Sequence, residues 1–286
     1  MHIPVLQKEV QKYLDPQPNE NFIDCTIGGG GHSAEILQKI APRGKVLGID
    51  WTPEAIKGLK KNPNLIVVND NFANLAAIVK EQKFNKAKGI LFDLGYSSWH
   101  LEGSSRGFSF QKKEPLDMRY SLENQLTAGK IVNFWSKFEI EKILEEFGEE
   151  EFAEEISRQI VEERKQRPIE TTAHLVAVIE RAVPKSYLHG RLHFATKTFQ
   201  ALRIAVNGEL QNIEKALPQA LQVLERGGRL AVISFHSLED RIVKEFFKNN
   251  SLVLNALTKK PLTPTFEEIR INPRARSARL RVAVKL

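Results

Sequence analysis

Four successive glycines, Gly28 to Gly31, separate an apolar segment from the start of an amphipathic one, and this arrangement constrains the fold more than any other feature. The pattern predicts a buried strand from Phe22 to Thr26, a tight turn, and a helix that opens between His32 and Leu37. Glycine tolerates positive φ and lets a ligand approach the backbone, while the N–H groups at the helix start provide a weak positive pole. Two interpretations are open at this point: a corner that binds a nucleotide-like ligand, and a turn that binds nothing.

Acidic residues lie at the ends of two of the next predicted strands. Lys45 to Asp50 forms the second strand of a βαβ unit. Asp50 follows the glycines by roughly 20 residues, where nucleoside-binding folds place an acid that accepts hydrogen bonds from ribose hydroxyls. Leu65 to Asn69 and Gly89 to Leu94 predict a third and a fourth strand, and the fourth carries Asp93 near its end. Glycines and acids together indicate a nucleoside site more strongly than either does alone.

A long interval separates the fourth predicted strand from the fifth. The next convincing strand, Arg229 to Phe235, begins more than one hundred residues after Asp93. Asn207 to Glu225 has apolar residues at helical spacing and supplies the crossover helix that a parallel connection needs. Arg279 to Leu286 alternates in polarity and predicts an antiparallel strand at or near the sheet edge. We therefore expect an α/β fold with an open, mostly parallel sheet and an insertion in the long interval.

The insertion itself has the pattern of a small helical domain. Residues 109–197 are dominated by apolar positions at helical spacing, beginning with Phe134 and Phe138, which we expect to lie in its core. Residues 1–108 and 198–286 then form the sheet domain.

Charge is segregated along the chain, which has a formal net charge of +7. Residues 259–286 hold eight basic and two acidic side chains, and residues 158–203 hold nine basic and four acidic ones. Residues 139–155, by contrast, contain nine glutamates and one lysine. Basic blocks of this kind indicate a polyanionic partner, because phosphate contacts dominate affinity for nucleic acids. The alternative is a set of solvated faces. Together with Arg106 and Arg119, the basic blocks are the predicted RNA surface.

Several classes of protein are not favoured by the sequence. No run of 18 apolar residues and no charged-then-apolar leader is present, so we expect a cytoplasmic protein without membrane contact. The single cysteine, Cys25, lies in the apolar strand and predicts a small core residue rather than redox chemistry. The sequence has no HExxH, CxxC or GxxxxGK[ST] motif, so we expect no metal site and no phosphate-binding loop of the kind found in nucleoside triphosphatases.

A nucleoside site built from Gly28 to His32, Asp50, Phe72 and Asp93 therefore remains. Phe72 follows the third strand, and its ring either lies against a flat base or packs as an ordinary loop aromatic. Two chemistries can use such a site: hydride transfer with a nicotinamide cofactor, and methyl transfer with S-adenosylmethionine. Composition alone does not separate them.

Several separated motifs, in the same order from end to end, closely resemble the MraW-type family of small-subunit ribosomal RNA methyltransferases. These motifs are His2–Leu6, Asp24–Ser33, Asp93–Ser98, Arg106–Phe110, Pro115–Arg119, Thr198–Ile204, Ser234–Arg241, Asn272–Arg274 and the stretch up to Arg281. The resemblance implies a Rossmann-like S-adenosylmethionine-dependent methyltransferase core with an inserted helical domain that recognises the substrate. It also implies methyl transfer to N4 of a cytidine in the decoding region of bacterial 16S rRNA, with the RNA or the small ribosomal subunit as partner.

Transferred position by position, the resemblance implies a set of cofactor contacts. They are Gly30, Gly31, His32, Asp50, Phe72, Asp93 and His100. His100 departs from the family, which commonly has Pro-Gln where this chain has Trp99-His100. Two alternatives to the enzyme stay open: an RNA-binding assembly factor without turnover, and a nicotinamide-dependent oxidoreductase.

Asp93 and Tyr96 are the predicted catalytic residues. Amino methyltransferases carry an acid or amide, two residues and then an aromatic at this strand end, and Asp93-Leu94-Gly95-Tyr96 has that outline. The cytosine amine is conjugated with its ring and is a poor nucleophile until an acceptor such as Asp93 draws on its protons. Position 96 is usually aliphatic in the family, whereas this chain has Tyr96. Its ring could stack on an extruded base; loop packing is the alternative.

His236 lies at the corner after the fifth strand. It could accept the departing proton, but a structural role at the helix start is favoured, because the methylated amine is acidic enough to lose its proton to water. Ser237 and Asp240 have capping-box spacing, so we expect a helix that begins at Ser237.

Overall fold

The structure is a computed structural model that describes residues 4–96 and 98–286. His2, Ile3 and Ser97, which belong to the motifs quoted above, lie outside the described residues. The chain forms two compact units, Met1–Gly95 with Leu210–Leu286, and Tyr96–Glu209. The expected division at 109 and 197 differs from this one because Phe108 and the helix Thr196–Asn207 contribute to the apolar core of the second unit.

The first unit contains the sheet. Its described strands are β1 (Phe22–Asp24), β2 (Val46–Asp50), β3 (Leu65–Asn69), β4 (Ala87–Asp93), β5 (Leu224–Ser234), β6 (Leu254–Ala256) and β7 (Arg279–Lys285). Their order is β3-β2-β1-β4-β5-β7-β6. The pairs among β1 to β5 are parallel, and β7 runs antiparallel to both β5 and β6. The predicted α/β class with a mostly parallel, Rossmann-like sheet is confirmed, as is the antiparallel last strand next to the edge.

Helices surround the sheet and build the second unit. Within the described residues they are α1 (Gln7–Leu14), α2 (Gly31–Ile40), α3 (Pro53–Ile56), α4 (Leu75–Glu81), α5 (Ser98–Glu102), α6 (Ala128–Phe134), α7 (Lys137–Gly148), α8 (Ala153–Gln166), α9 (Thr172–Ala182), α10 (Lys185–Leu188), α11 (Thr196–Asn207), α12 (Glu209–Val223), α13 (Ser237–Asn249) and α14 (Phe266–Ile271). Short 3₁₀ helices lie at Phe72–Asn74 and Pro273–Ser277. No helix in this part of the chain combines the length and the apolar character that crossing a bilayer requires.

Both faces of the sheet are covered, which explains why its central strands are apolar over most of their length. Successive strand side chains point to opposite faces. Ile90 and Phe92 belong to the cluster that includes residues of α4, α12 and α13, whereas Leu91 belongs to the cluster formed with α1 and α2. Since the parallel strands are held rigidly from both sides, the residues at their carboxyl ends have fixed positions.

The second unit has its own apolar core, formed mainly by α6 to α9 and α11. Ile143, Ile160 and Ile179 are buried there, in agreement with the helical spacing. Phe134 and Phe138 are not: they are 79% and 74% exposed, so their assignment to the core is wrong. The reason is local. Ser136 and Glu139 form a capping box that starts α7, and the new helix interrupts the apolar stripe that the sequence shows as continuous.

The predicted start of α13 at Ser237 is correct, but the predicted cap is not. His236 is the N-cap residue, and the capping box pairs it with Glu239 rather than Ser237 with Asp240. Asp240 instead accepts two hydrogen bonds from Arg281, at 2.6 and 2.9 Å. His236 therefore has a structural part at the helix start.

Candidate functional site

Three neighbouring parallel strands of the first unit end in an aspartate. β1 ends at Asp24, β2 at Asp50 and β4 at Asp93. Because carboxyl ends of parallel strands share one edge of the sheet, the three carboxylates lie at the same edge as the glycine turn after β1. This carboxyl edge, defined by the three aspartates and residues 28–33, is the candidate site of the first unit.

The glycine turn joins β1 to α2 and requires glycine for two separate reasons. Gly30 is the N-cap of α2 with φ of 77°, in the left-handed region. Gly31 is limited by space: a Cβ there would lie 2.3 Å from Cγ of Pro4. Beside Gly29 such an atom would meet nothing within 4 Å, so the turn is open at that point.

Asp50 fastens the glycine turn to the end of β2. Its Oδ2 accepts a hydrogen bond from the Gly28 N–H at 2.9 Å, and its Oδ1 accepts one from the Thr52 N–H at 2.8 Å. Burial raises the pKa of Asp50 to about 6, although the bonds from Thr52 and Gly28 act in the opposite direction. The Thr52 side chain also donates to this carboxylate. A carboxylate has about four acceptor positions, so Asp50 can accept a further bond from a ligand hydroxyl.

His32, in the first turn of α2, is buried next to Asp93. Its Nε2 lies 3.6 Å from Asp93 Oδ2, beyond an ordinary hydrogen bond. Both imidazole nitrogens and Asp93 Oδ1 are buried and find no hydrogen-bond partner among the described residues. Burial opposes protonation of His32, but the carboxylates of Asp93 and Asp24 outweigh it and raise the pKa of His32 above its usual value. The pair therefore combines an electrostatic attraction that favours the protonated imidazole with unmet hydrogen-bonding capacity.

Asp24 lies close enough to His32 and Asp93 to interact with both electrostatically. Its Oδ2 accepts a hydrogen bond from the Ser33 hydroxyl at 2.7 Å, and its Oδ1 accepts one from the Thr26 N–H at 3.2 Å. The Thr26 hydroxyl in turn accepts a bond from the Asp93 N–H at 2.7 Å. Burial raises the pKa of Asp24, against the Ser33 hydrogen bond and the nearby His32. Neighbouring strand ends are thus tied together by short polar side chains.

Phe72 lies in the 3₁₀ helix after β3, and its position favours packing as its first role. The ring meets Phe92 edge to face, with centroids 5.5 Å apart, and packs against the apolar cluster of the sheet. The loop before it is tied to β2, because the Asn69 amide donates to the Asp50 carbonyl at 2.7 Å. Phe72 is only partly buried, so one part of the ring remains accessible.

Tyr96 and His100 belong to the second unit, where they join an aromatic cluster with Phe108 and Tyr120. Tyr96 stacks with Phe108 at 6.4 Å between centroids and is 40% exposed, whereas His100 is buried against Phe108 at 4.9 Å and Tyr120 at 4.8 Å. Burial, with Arg106 and Arg203, lowers the pKa of His100 to about 3. His100 is therefore a neutral group at physiological pH.

A buried ion pair lies behind the exposed ring of this cluster. Arg203 Nε and Nη2 donate to the two carboxylate oxygens of Glu209, each at 2.9 Å, and the Tyr120 hydroxyl lies 3.1 Å from Glu209 Oε1. Arg203 Cζ is 4.6 Å from the centroid of the Tyr96 ring. Burial opposes the charge of Arg203, but Glu209 raises the pKa of the guanidinium above its usual value, so it remains protonated.

Sequence reasoning missed Asp24 and Ser33 in one unit and Glu209 in the other. It placed Arg203 in the basic block 158–203 predicted to face RNA, whereas the side chain is buried and paired with Glu209. A signal for Asp24 was present: each of the acids Asp50 and Asp93 closes a strand, and Asp24 does so too once β1 is ended two residues earlier than predicted. Arg203 and Glu209 are six residues apart across the end of α11, a spacing that carries no signal of pairing.

Two arginines of the predicted RNA surface are engaged within the second unit. Arg119 forms a bidentate pair with Asp117, at 2.8 and 2.7 Å. Arg106 donates to the carbonyls of Arg119 and Tyr120, both at 3.2 Å, and lies 5.1 Å from the Trp99 ring. Both residues therefore hold loops of the second unit together.

Comparison with known proteins decides between the two chemistries. A profile of the MraW methylase family matches residues 1–286. The chain belongs to the MraW methylase family. This membership makes it a methyltransferase that uses S-adenosylmethionine, which confirms the predicted cofactor and gives no support to hydride transfer with a nicotinamide.

Full-length relatives agree with the family match. The chain is 48% identical over 290 residues to ribosomal RNA small subunit methyltransferase H of Thermosipho melanesiensis, covering 100% of this chain and 98% of the relative. It is 44% identical over 306 residues to the protein of the same name from Clostridium botulinum strain Kyoto, covering 100% and 99%. The protein of that name from Heliobacterium modesticaldum is 45% identical over 308 residues, covering 100% and 98%.

Proposed function

We propose that this chain transfers the methyl group of S-adenosylmethionine to N4 of a cytidine in the decoding region of 16S rRNA. The observation that carries the proposal is the buried Asp93–His32 pair at the carboxyl edge, with three side-chain atoms that lack partners among the described residues. Buried polar atoms are almost always hydrogen-bonded, so such a group indicates a place that a ligand completes. The names of the relatives support small-subunit ribosomal RNA as the substrate.

The carboxyl edge fits S-adenosylmethionine. Asp50 offers an acceptor position for a ribose hydroxyl, and the glycine turn leaves open space beside Gly29, where a Cβ would meet nothing within 4 Å. The full set of proposed contacts is Gly30, Gly31, His32, Asp50, Phe72, Asp93 and His100. When bound, the cofactor would supply a methyl group on a positively charged sulfur: the amine nitrogen would bond to the methyl carbon as the carbon–sulfur bond breaks, leaving S-adenosylhomocysteine, and the methylated amine would lose its proton to water.

Asp93 and Tyr96 are the proposed catalytic residues. Asp93 Oδ1 is a buried acceptor without a partner among the described residues, and it suits a hydrogen bond from an exocyclic N–H. Such a bond increases electron density on the amine, whose lone pair is otherwise delocalised into the cytosine ring. The 40% exposed ring of Tyr96 suits stacking on a base that has left its helix.

Two basic surfaces are proposed to contact the RNA phosphates. The last part of the chain presents exposed Lys259, Lys260, Arg270, Arg274 and Arg276. The helical domain predicted at 109–197 is proposed to recognise the substrate, with exposed Arg158 and Lys165 on α8 and exposed Arg167 at its C-cap. Phosphate contacts release counterions, so affinity should fall steeply as salt rises.

The test is mass mapping of methylated nucleosides in small-subunit RNA from cells that lack this protein. We expect loss of one N4-methylated cytidine, and its return when purified protein and S-adenosylmethionine are added. Retention of every methylated nucleoside in those cells would contradict the proposal, and binding of the RNA without methyl incorporation would favour an assembly factor. Tyr96→Ala should weaken RNA affinity and turnover together; if neither changes, Tyr96 does not stack on the base.

A further inference from the structure

Tyr96 is held by a charged group that has no assigned part in the reaction. Arg203 projects from α11 into the second unit, is 9% exposed, and places its guanidinium carbon 4.6 Å from the Tyr96 ring centroid. A cation within about 6 Å of an aromatic face is attracted by the ring quadrupole, and the attraction grows as the pair is desolvated. Arg203 therefore favours one orientation of an otherwise exposed ring.

The orientation of Arg203 is itself determined by its anchors. Both carboxylate oxygens of Glu209 accept hydrogen bonds from the guanidinium at 2.9 Å, which fixes its plane as well as its place. Glu209 also accepts from the Tyr120 hydroxyl at 3.1 Å, and Tyr120 stacks on Phe108 with rings 6° from parallel and 5.6 Å apart. Phe108 stacks in turn on Tyr96. The Tyr96 ring is thus connected to the Glu209 carboxylate in two ways: through Arg203, and through the stacked rings of Phe108 and Tyr120.

We infer that Arg203, anchored by Glu209, is a positioning residue that orients the Tyr96 ring for stacking on the target base. The inference rests on the proposed function of Tyr96. Burying an ion pair is costly, and a well-packed apolar pair of similar volume would often serve stability equally well. The planar, cationic guanidinium supplies something that an apolar pair cannot, which is a directed attraction for one aromatic ring.

The test uses 3-fluorotyrosine in the full chain, which contains four tyrosines. Loss of one ¹⁹F resonance in Tyr96→Phe assigns the signal of Tyr96. Arg203→Lys keeps the charge but removes the planar fork, so we expect the Tyr96 resonance to shift and broaden while those of Tyr13 and Tyr187 stay in place. The matched control is Arg181→Lys, which alters another arginine–glutamate pair of the same unit, bonded at 2.6 Å, and should not move the Tyr96 signal.

A double-mutant cycle connects the orientation to RNA binding. With Tyr96 present, Arg203→Lys should raise the substrate KM on the order of fivefold, with kcat changed less, as expected for loss of one cation–π contact. In a Tyr96→Leu background the same substitution should change KM by less than about twofold. Equal costs in the two backgrounds would show that Arg203 acts only through stability and would overturn the inference, as would an unmoved ¹⁹F signal.

The two proposals fail in different ways. A Tyr96 resonance that moves in Arg203→Lys, together with unchanged RNA affinity in Tyr96→Leu, would leave the positioning contact in place and remove the proposed role of Tyr96 in stacking. If Arg203→Lys does not fold, Glu209→Gln provides the same measurement. It retains the guanidinium but loosens its anchor, and the Tyr96 resonance should again shift; an unmoved signal there would overturn the inference.

Discussion

The carboxyl edge of the first unit and the aromatic cluster of the second differ in how their buried polar groups are satisfied. At the edge, the His32 imidazole and Asp93 Oδ1 lack hydrogen-bond partners among the described residues. In the cluster, Arg203 and Glu209 satisfy one another, with Tyr120 as a third member. A fold that satisfies its buried hydrogen-bonding groups so fully in one place leaves several without partners in another, where we propose that a ligand supplies the missing bonds. On this proposal, the difference separates groups that act on ligands from groups that stabilise the fold.

Asp93→Asn gives the largest expected effect and tests the first half of this comparison. We expect methyl incorporation to fall about 10²- to 10⁴-fold, the range for loss of a group that handles a proton in the transition state. The urea midpoint should change little, because Asp93 Oδ1 has no hydrogen-bond partner among the described residues and Oδ2 lies 3.6 Å from His32 Nε2, beyond an ordinary hydrogen bond. Radiolabelled methyl transfer and urea unfolding measure the two quantities.

A matched control lies in the same unit. Asp240 also carries a largely buried carboxylate, but it is bonded to Arg281 at 2.6 and 2.9 Å. Asp240→Asn should therefore lower stability more than Asp93→Asn does. Methyl transfer by Asp93→Asn at the wild-type rate would mean that the unpartnered carboxylate is not part of the chemistry.

Glu209→Ala tests the second half of the comparison. Removing this carboxylate leaves Arg203 buried without its partner, which costs about 3–5 kcal/mol of unfolding free energy. Glu214→Ala, at an exposed position on the same helix, should change it by less than about 0.5 kcal/mol. Chemical denaturation measures both. A loss in Glu209→Ala as small as that of the control would show that the ion pair adds nothing to stability.

The sequence predicted the sheet well because buried parallel strands are apolar on both faces. It also predicted that Asp50 ends a strand near the glycine turn, because this spacing is recognisable, and the position is observed. The position of Asp24 at a strand end was not predicted, because the apolar pattern of the sequence continues past the end of β1. Phe134 and Phe138 were misplaced because a capping box interrupts an apolar stripe. The pairing of Arg203 with Glu209 could not be read from the sequence, since it depends on how the chain turns between α11 and α12.

Ligand binding at the carboxyl edge should depend on pH through Asp50, whereas the aromatic cluster should show no such dependence. Its pKa is raised to about 6 by burial, so the free protein holds a proton on Asp50 below that pH. Binding that requires the carboxylate as acceptor favours the ionised form, and cofactor affinity should therefore fall as pH decreases through 6, by up to about tenfold per unit. Isothermal titration with S-adenosylhomocysteine between pH 4.5 and 8 measures this. Asp50→Asn should bind more weakly and lose the slope; a slope that survives would assign the titration to another group.

His100→Gln has the smallest expected effect, because it replaces one neutral hydrogen-bonding side chain with another. Burial, with Arg106 and Arg203, holds the pKa of His100 at about 3, so the imidazole is uncharged at every pH from 5 to 9. We expect the pH profile of kcat/KM to keep its shape over that range and the cofactor KM to change within about twofold. An inflection between pH 5 and 8 that is present in the wild type and absent in His100→Gln would show that His100 titrates. The pH dependence would then arise in the aromatic cluster as well, and the contrast with the carboxyl edge would not hold.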